Sequence, residues 1–244
     1  MNIQTYADYL VDWLETERRD FYQMDGYVLG VSGGVDSAVA AHLLARTGAP
    51  VYGLILPSAI SGDTGDAHAV LKSAGIPGEE ISIAPLYDTL AASVAHAVAS
   101  SADPNILSGN IQARLRMICL YTVAQSRRAL VVGTDNAAEW LMGYFTKFGD
   151  GAADVVPLIH LRKEEIYALG QALGVAENIL RKAPSAELWQ GQTDESEMGV
   201  RYADIDAHLR GEPISREARE RINHWHGRSH HKREMPRRPP RRPQ

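Results

Sequence analysis

Four short apolar runs, interleaved with helical patterns, constrain this chain more than any other feature. GYVLGV at 26 to 31, VYGLIL at 51 to 56, ISIAPL at 81 to 86 and ALVVG at 129 to 133 are rich in Val, Leu and Ile and show no clean apolar-polar alternation. A strand without alternation is buried on both faces, and helices supply the cover when such strands run parallel. Helical spacing fills the intervals: AVAAHLLART after the first run, DAHAVLKSAG after the second, NIQARLRMICLYTVAQSRR before the fourth and NAAEWLM after it. The expected fold class is therefore α/β: a doubly wound, mostly parallel sheet with helices on both faces, Rossmann-like in outline. Residues 3 to 21 add an amphipathic helix carrying Tyr6, Tyr9, Leu10, Trp13 and Leu14, able to pack on the core or on a second subunit. Periodicity fades through GYFTKFGDGAADVVP, resumes in RKEEIYALGQALG, and gives way to the polar, loop-like KAPSAELWQGQTDESEMG.

Length and composition set the class. With 244 residues, 45% of them hydrophobic and 23% charged, the chain is expected to form one globular domain over residues 1–236 with a sizeable core. No apolar stretch of membrane-spanning length occurs, and the N-terminus lacks the basic-then-apolar order of a signal peptide, so a cytoplasmic protein is expected. Cys119 is the single cysteine, which excludes an internal disulfide or a cysteine-based zinc cluster. Charge is unevenly placed. Residues 228 to 244 hold seven Arg or Lys against one Glu, a surplus of six that leaves the body at −11 within the total of −5. The basic, Pro-rich end at 237–244 reads as a solvated, disordered tail rather than a grip for nucleic acid. His42, His68 and His96 lie in helical patterns without a metal-ligand partner at i+4.

The chemistry concentrates at SGGVDS, residues 32 to 37, between the first strand and its helix. A helix start there offers unpaired N–H groups and the positive end of a dipole to an anion. Gly33 and Gly34 permit a tight turn and close backbone approach, and Ser32 and Ser37 carry hydroxyls. Asp36 is out of place beside a phosphate unless a cation intervenes, which points to Mg²⁺. A plain strand-to-helix turn capped by Asp36 and Ser37 is the bland alternative. Thr134 and Glu139 follow a strand end, where open α/β sheets bind ligands.

SGGVDS lacks the Gly-Lys-Ser/Thr of a Walker loop and is not G-x-G-x-x-G. It resembles the pyrophosphate loop of the N-type ATP pyrophosphatases, which split ATP into AMP and pyrophosphate while adenylating an oxygen of the substrate. GNIQARLRM at 109 to 117, VVGTDNAAEWLMGYFTKFGDGAADVVPL at 131 to 158, LRKEEIYALGQALG with RKAPSAELW and TDESEMG, and SHHKREMP near the end are similar to the motifs of the NAD synthetases among them. That resemblance covers roughly residues 5 to 236. It implies a ligase joining ammonia to deamido-NAD through an adenylated carboxylate, giving NAD, AMP and pyrophosphate. It implies ATP as co-substrate contacted by Gly30, Val31, Ser32, Gly33, Gly34, Val35, Asp36, Ser37, Thr134, Lys163 and Ser185, and Mg²⁺ on Asp36 and Glu139. Deamido-NAD contacts fall to Arg114, Lys147, Asp154, His231 and Lys232, and a homodimer is implied, in which the last two are expected to serve a neighbouring subunit. Catalytic roles fall to Asp36 and Lys163; Asp150, in the GDG turn, is the candidate for binding or deprotonating ammonium, or else a turn former.

The loop around 183 to 195 is expected to act as a lid, and Trp189, Tyr144 and Phe145 to pack rather than stack on a base. The glutamine-dependent branch places an amidase domain before the synthetase part, so free ammonia is the expected donor. One departure stands out: simple ammonia-dependent members carry an arginine where this chain has Ile55, before Leu56 and Pro57. Two rivals remain: another pyrophosphatase-loop enzyme acting on tRNA or transferring sulfur, and a regulatory module that holds ATP without turnover. The lone Cys119 argues against sulfur transfer, and Asp36, Glu139 and Lys163 argue against a silent binder.

Overall fold

The computed structural model describes residues 2–59, 64–182 and 193–241. Its centre is a parallel sheet of β1 (Gly26–Gly30), β2 (Val51–Ile55), β3 (Gly78–Glu80) and β4 (Ala129–Val132) in the order β3-β2-β1-β4. The apolar runs behave as their lack of alternation requires. Tyr27 and Leu29 of β1 and Leu130 and Val132 of β4 enter one core, while Val28, Ala129 and Val131 enter another on the opposite face. Helices α1 (Ile3–Thr16), α2 (Val35–Ala45), α3 (Gly65–Ala74) and α7 (Lys163–Leu173) cover the first face. The second is covered by α5 (Pro104–Ser126), beside which lies α4 (Ala84–Val94). The doubly wound arrangement is thus present, with Ala7, Leu10 and Leu14 of α1 seated on the core of this chain.

Two local differences from the sequence reading have physical causes. The third strand is Gly78–Glu80, ahead of the apolar run at 81 to 86. Ile81 and Ile83 still donate backbone hydrogen bonds to Ile55 and Pro57, but Pro85 opens α4 and a proline cannot continue a ladder. The N-terminal helix does not run uniformly to 21, since its last turn, Glu17–Phe21, widens to i→i+5 bonding.

A third core lies beyond the sheet. Ala138 and Met142 of α6 (Ala137–Met142) pack with Met198 of α9 (Asp194–Met198), Tyr202 and Ile205 of α10 (Tyr202–Leu209), and Ala218 and Ile222 of α11 (Arg216–Arg228). The short α8 (Glu177–Leu180) completes the chain order between α7 and α9. This helical cluster anchors α6 and, through α10, the start of α7, and both elements carry site residues.

Candidate active site

The winding of the sheet decides where a ligand goes. From β1 the chain proceeds to β2 and β3 on one side, then crosses to β4 on the other, so the loops leaving the carboxyl ends of β1 and β4 part there. Open α/β sheets bind ligands in the crevice at such a switch point. A cleft of about 470 Å³ lies there, between the loop after β1, the segment after β4, α5 and the third core.

The loop after β1 is shaped by Gly33, whose φ of +84° lies in the left-handed region. A Cβ at this position would stand 2.8 Å from Asp66 Cβ and 2.9 Å from the Ala67 nitrogen, so no side chain fits. Hydroxyls tie the turn: Gly34 N–H donates to Ser32 Oγ at 3.2 Å, and Ser37 Oγ donates to the Gly34 carbonyl at 3.0 Å. Ser37 is therefore a buried brace of the loop, whereas Ser32 is exposed to the cleft. Gly34 is the N-cap of α2 and brings no side-chain acceptor, which leaves the first-turn N–H groups for an anion.

Above that loop, one buried ammonium joins two carboxylates. Lys163 Nζ stands 2.6 Å from Asp36 Oδ2 and 3.9 Å from Glu139 Oε1, and its side chain is 4% exposed. Lys163 opens α7, against the positive end of that helix's dipole, so its charge needs these acids. Burial pulls its pKa down, but Asp36 and Glu139 together outweigh burial and hold it protonated. Glu139 is pushed up to about 8, first by burial and then by Asp36, with Lys163 opposing. Two acids thus share one lysine. Asn136, fully buried, aligns them: its Nδ2 donates to Asp36 Oδ1 at 3.0 Å, its Oδ1 caps α6, and its backbone N–H donates to Glu139 Oε2 at 3.0 Å. Asp206 of α10 accepts the N–H groups of Lys163 and Glu164 at 3.1 and 2.9 Å and fixes the start of α7.

A second group of charges lines the same cleft. Asp150 accepts the Thr146 N–H at 2.9 Å and is raised by burial among the cleft walls, although the residue itself opens onto the cleft space. Lys232 Nζ donates to the Gly143 and Phe145 carbonyls at 2.8 and 2.5 Å, and burial lowers it. Asp135 is 8% exposed and lies well above the ordinary carboxylate range, through burial first and then Asp150, Glu139 and Asp36. Phe145 stacks on Trp140 with centroids 5.3 Å apart, a packing role, and the Tyr144 hydroxyl donates to Glu197 at 2.6 Å.

Of the residues expected from the sequence, Gly30, Val31, Ser32, Gly34, Val35, Asp36, Ser37, Thr134, Glu139, Asp150, Lys163 and Lys232 line this cleft, with Gly33 forming the turn beneath it. Arg114, Lys147, Asp154 and His231 are not among its lining residues. Arg114 donates to the Lys147 carbonyl at 3.4 Å and Lys147 Nζ to the His231 carbonyl at 2.5 Å, so these three gather on one rim. Asp154 instead accepts the Val131 N–H at 2.7 Å and meets Tyr121 on α5. Ser185, Trp189 and most of the expected lid lie outside the described residues, and Asp194 and Glu195 of that segment begin α9.

Sequence reasoning missed Asn136, Asp135, Asp206 and Arg116. The N-x-x-E spacing of Asn136 and Glu139 is a capping-box signal that marks the first. Arg116, from the cleft side of α5, donates to the Leu56 carbonyl at 3.0 Å and sets a cation beside Ile55, where the resemblance expects arginine. A second, open hollow of about 650 Å³ lies at the opposite ends of the strands, around Asp25, Tyr52, Pro77 and Arg127, and gathers no acid-lysine cluster.

A glycine loop before a helix, at the switch point of a parallel sheet and beneath an acid-lysine-acid cluster, defines an α/β enzyme that handles a nucleotide polyphosphate. The comparisons name the class more closely. The chain belongs to the NAD synthase family, whose model matches residues 6–236. The NH(3)-dependent NAD(+) synthetase of Mannheimia succiniciproducens is 60% identical over 98% of this chain and 97% of its own length. Among solved structures, an NMN synthetase from Francisella tularensis superposes with a TM-score of 0.92 at 49% identity, covering 98% of this chain and 99% of that one. The NH3-dependent NAD synthetase of Campylobacter jejuni gives 0.79 at 28% identity, covering 98% and 100%. The α/β fold class and the ligase class read from the sequence agree with these relatives.

Proposed function

We propose that the chain amidates the nicotinate carboxylate of deamido-NAD with free ammonia, ATP being cleaved to AMP and pyrophosphate and NAD formed. The observation that carries this is Lys163 bridging Asp36 and Glu139 above the SGGVDS turn, in a chain 60% identical to an NH(3)-dependent NAD(+) synthetase. A carboxylate is a poor acylating agent, so its oxygen first attacks the α-phosphorus of ATP and pyrophosphate leaves toward the N–H groups of α2. Lys163 steadies charge on the phosphates. Ammonia then attacks the acyl carbon and AMP departs, in a cleft that must keep water from the adenylate. Asp36 and Glu139 fit Mg²⁺: both are hard oxygen donors, and they line one cleft on either side of Lys163. When bound, Mg²⁺ would supply charge neutralisation on the phosphates. Ser185 is proposed as a further triphosphate contact.

The protein is proposed to work as a homodimer in the cytoplasm. Exposed Leu86, Leu90 and Val94 form a stripe along α4, a helix with no buried residue, and Ile106 and Ile118 of α5 are exposed beside it. Arg114, Lys147, Asp154 and His231, which lie off the cleft, are proposed to hold the dinucleotide where subunits meet. No described helix is long and apolar enough to cross a membrane. A second reading is favoured by the Francisella neighbour: an acid mononucleotide amidated to NMN in the same cleft. The test is one assay with two acids. Protein, ATP, MgCl₂ and ammonium chloride are incubated with deamido-NAD or with nicotinate mononucleotide, and pyrophosphate and the amide product are measured. The larger kcat/KM identifies the substrate; pyrophosphate with neither acid discards both readings.

A further inference from the structure

Lys182 has no part in the chemistry assigned so far, yet it lines the same cleft as the SGGVDS turn. Its Nζ donates to Asp66 Oδ2 at 3.3 Å, and the other oxygen of that carboxylate accepts from Asn178 Nδ2 at 3.1 Å. Asp66 is packed against the turn, because a Cβ on Gly33 would meet Asp66 Cβ at 2.8 Å. The ammonium of Lys182 therefore stands one carboxylate away from the turn, in a part of the cleft that Ser32, Gly34, Thr64 and Ala67 also line. Lys163 and Lys182 are held in opposite ways. Lys163 is 4% exposed and joined to Asp36 at 2.6 Å, whereas Lys182 and Asp66 are 37% and 33% exposed and 3.3 Å apart. An exposed ion pair contributes little, so a polyphosphate of higher charge can take the lysine from it. The carboxylate left behind is still provided for, by Asn178, by water and by the positive end of α3, in whose first turn it stands.

On the reading that pyrophosphate leaves toward the N–H groups of α2, we propose that Lys182 exchanges Asp66 for the β- and γ-phosphates of ATP and follows the pyrophosphate as it departs, and that Asp66 takes the lysine back when the product is released. The movement of electrons calls for such a cation. As the acid oxygen bonds to the α-phosphorus, the bond from that phosphorus to the bridging oxygen breaks, and its electron pair stays on pyrophosphate. Charge thus builds on the leaving group, while Lys163 already faces two carboxylates. Lys182 stays protonated throughout and contributes charge, with no proton transfer.

The test measures binding of inorganic pyrophosphate, with MgCl₂ and without acid or ammonium, by titration calorimetry on wild type, Lys182→Gln and Asp66→Asn. Lys182→Gln should weaken binding about 10- to 100-fold, as for loss of one hydrogen bond between charged groups. Asp66→Asn should tighten it about two- to fivefold, because an exposed ion pair no longer competes for the lysine. Exchange requires these opposite signs. A pair that only ties α8 to α3 would move both variants the same way, and that result overturns the proposal, as does wild-type affinity in Lys182→Gln. Lys182→Arg, which keeps the charge, should recover most of the affinity. In turnover, Lys182→Gln should lose about 10- to 100-fold in kcat/KM for ATP, with KM for ammonium within about twofold of wild type. Should Lys182→Gln not fold, Asp66→Asn decides alone, and unchanged or weaker pyrophosphate binding there overturns the proposal. The binding arm needs neither acid nor ammonium, so it can fail while amide formation stands, and hold while amide formation fails.

Discussion

Asn136 shows how much of this site hangs on a single uncharged side chain. It orients Asp36, caps α6 and, through its own N–H, holds Glu139 in place. Asn136→Ala removes the cap and the bond to Asp36 together. It should cost about 1–2 kcal/mol in thermal or denaturant unfolding and lower kcat about 10- to 100-fold through misplacement of the carboxylates; a variant with wild-type kcat would show that Asp36 needs no such alignment. Lys163 makes a harsher prediction. Lys163→Met leaves two acids without their buried cation, so stability should fall by about 3–5 kcal/mol. Pyrophosphate release should fall by about a thousandfold or more. Adding Glu139→Gln to that variant should return part of the stability and none of the activity, which separates charge balance from catalysis. Lys163, Glu139 and Asp36 were legible because charged residues stand out in a motif. Asn136 and Asp135 were not, because an Asn after a strand reads as an ordinary cap and an Asp beside it as a turn; only burial distinguishes them.

Elements were legible in proportion to how far they are buried. The central strands β1, β2 and β4 could be read because both faces are apolar, and α7 because Ile166, Leu169 and Gly170 form a buried stripe. The edge strand β3 has the sequence GEE with every residue exposed, so it carries no apolar signal, and its neighbour Ile83 drew the expectation forward instead. Contacts between distant elements were equally hidden, above all the one by which α10 sets α7. Asp206, 3% exposed, stands in for the side-chain cap that Arg162 does not provide and accepts two of the N–H groups at the start of α7. Asp206→Ala should therefore lower stability by about 1–2 kcal/mol. Because the affected turn carries Lys163, kcat/KM for ATP should drop about tenfold or more, while Asp206→Asn, keeping one acceptor oxygen, should lie between. Equal kcat/KM in Asp206→Ala and wild type would show that Asp36 alone positions Lys163.

At the scale of the molecule, α4 poses a problem that the single chain does not solve. Its sequence, APLYDTLAASV, is among the more apolar of the helices, yet none of its residues is buried. Leu86, Leu90 and Val94 recur every four residues with exposures of 49%, 40% and 37%, and Ile106 and Ile118 of α5 reach 51% and 54%. Monomers seldom leave so continuous an apolar face in water, and two antiparallel copies of such a helix pair bury it against itself in an isologous contact. The same α5 carries Arg114 and Tyr121 seven residues apart, hence close to one face; Arg114 leads to Lys147 on the rim, and Tyr121 to Asp154 against β4. A second copy packed there would bring this rim beside a nucleotide cleft, which explains how residues outside the cleft of one chain could still contact a long dinucleotide. The pair Leu90→Glu and Ile118→Glu tests this without touching the acid-lysine cluster. Light scattering should report twice the chain mass for wild type and the single mass for the double variant. If the rim serves the neighbouring site, KM for deamido-NAD should rise about tenfold or more on dissociation, while single-turnover cleavage of ATP with a mononucleotide acid, which needs no rim, should change much less. A double variant that stays dimeric would move the interface elsewhere, and one that becomes monomeric with unchanged KM would confine the substrate to a single chain.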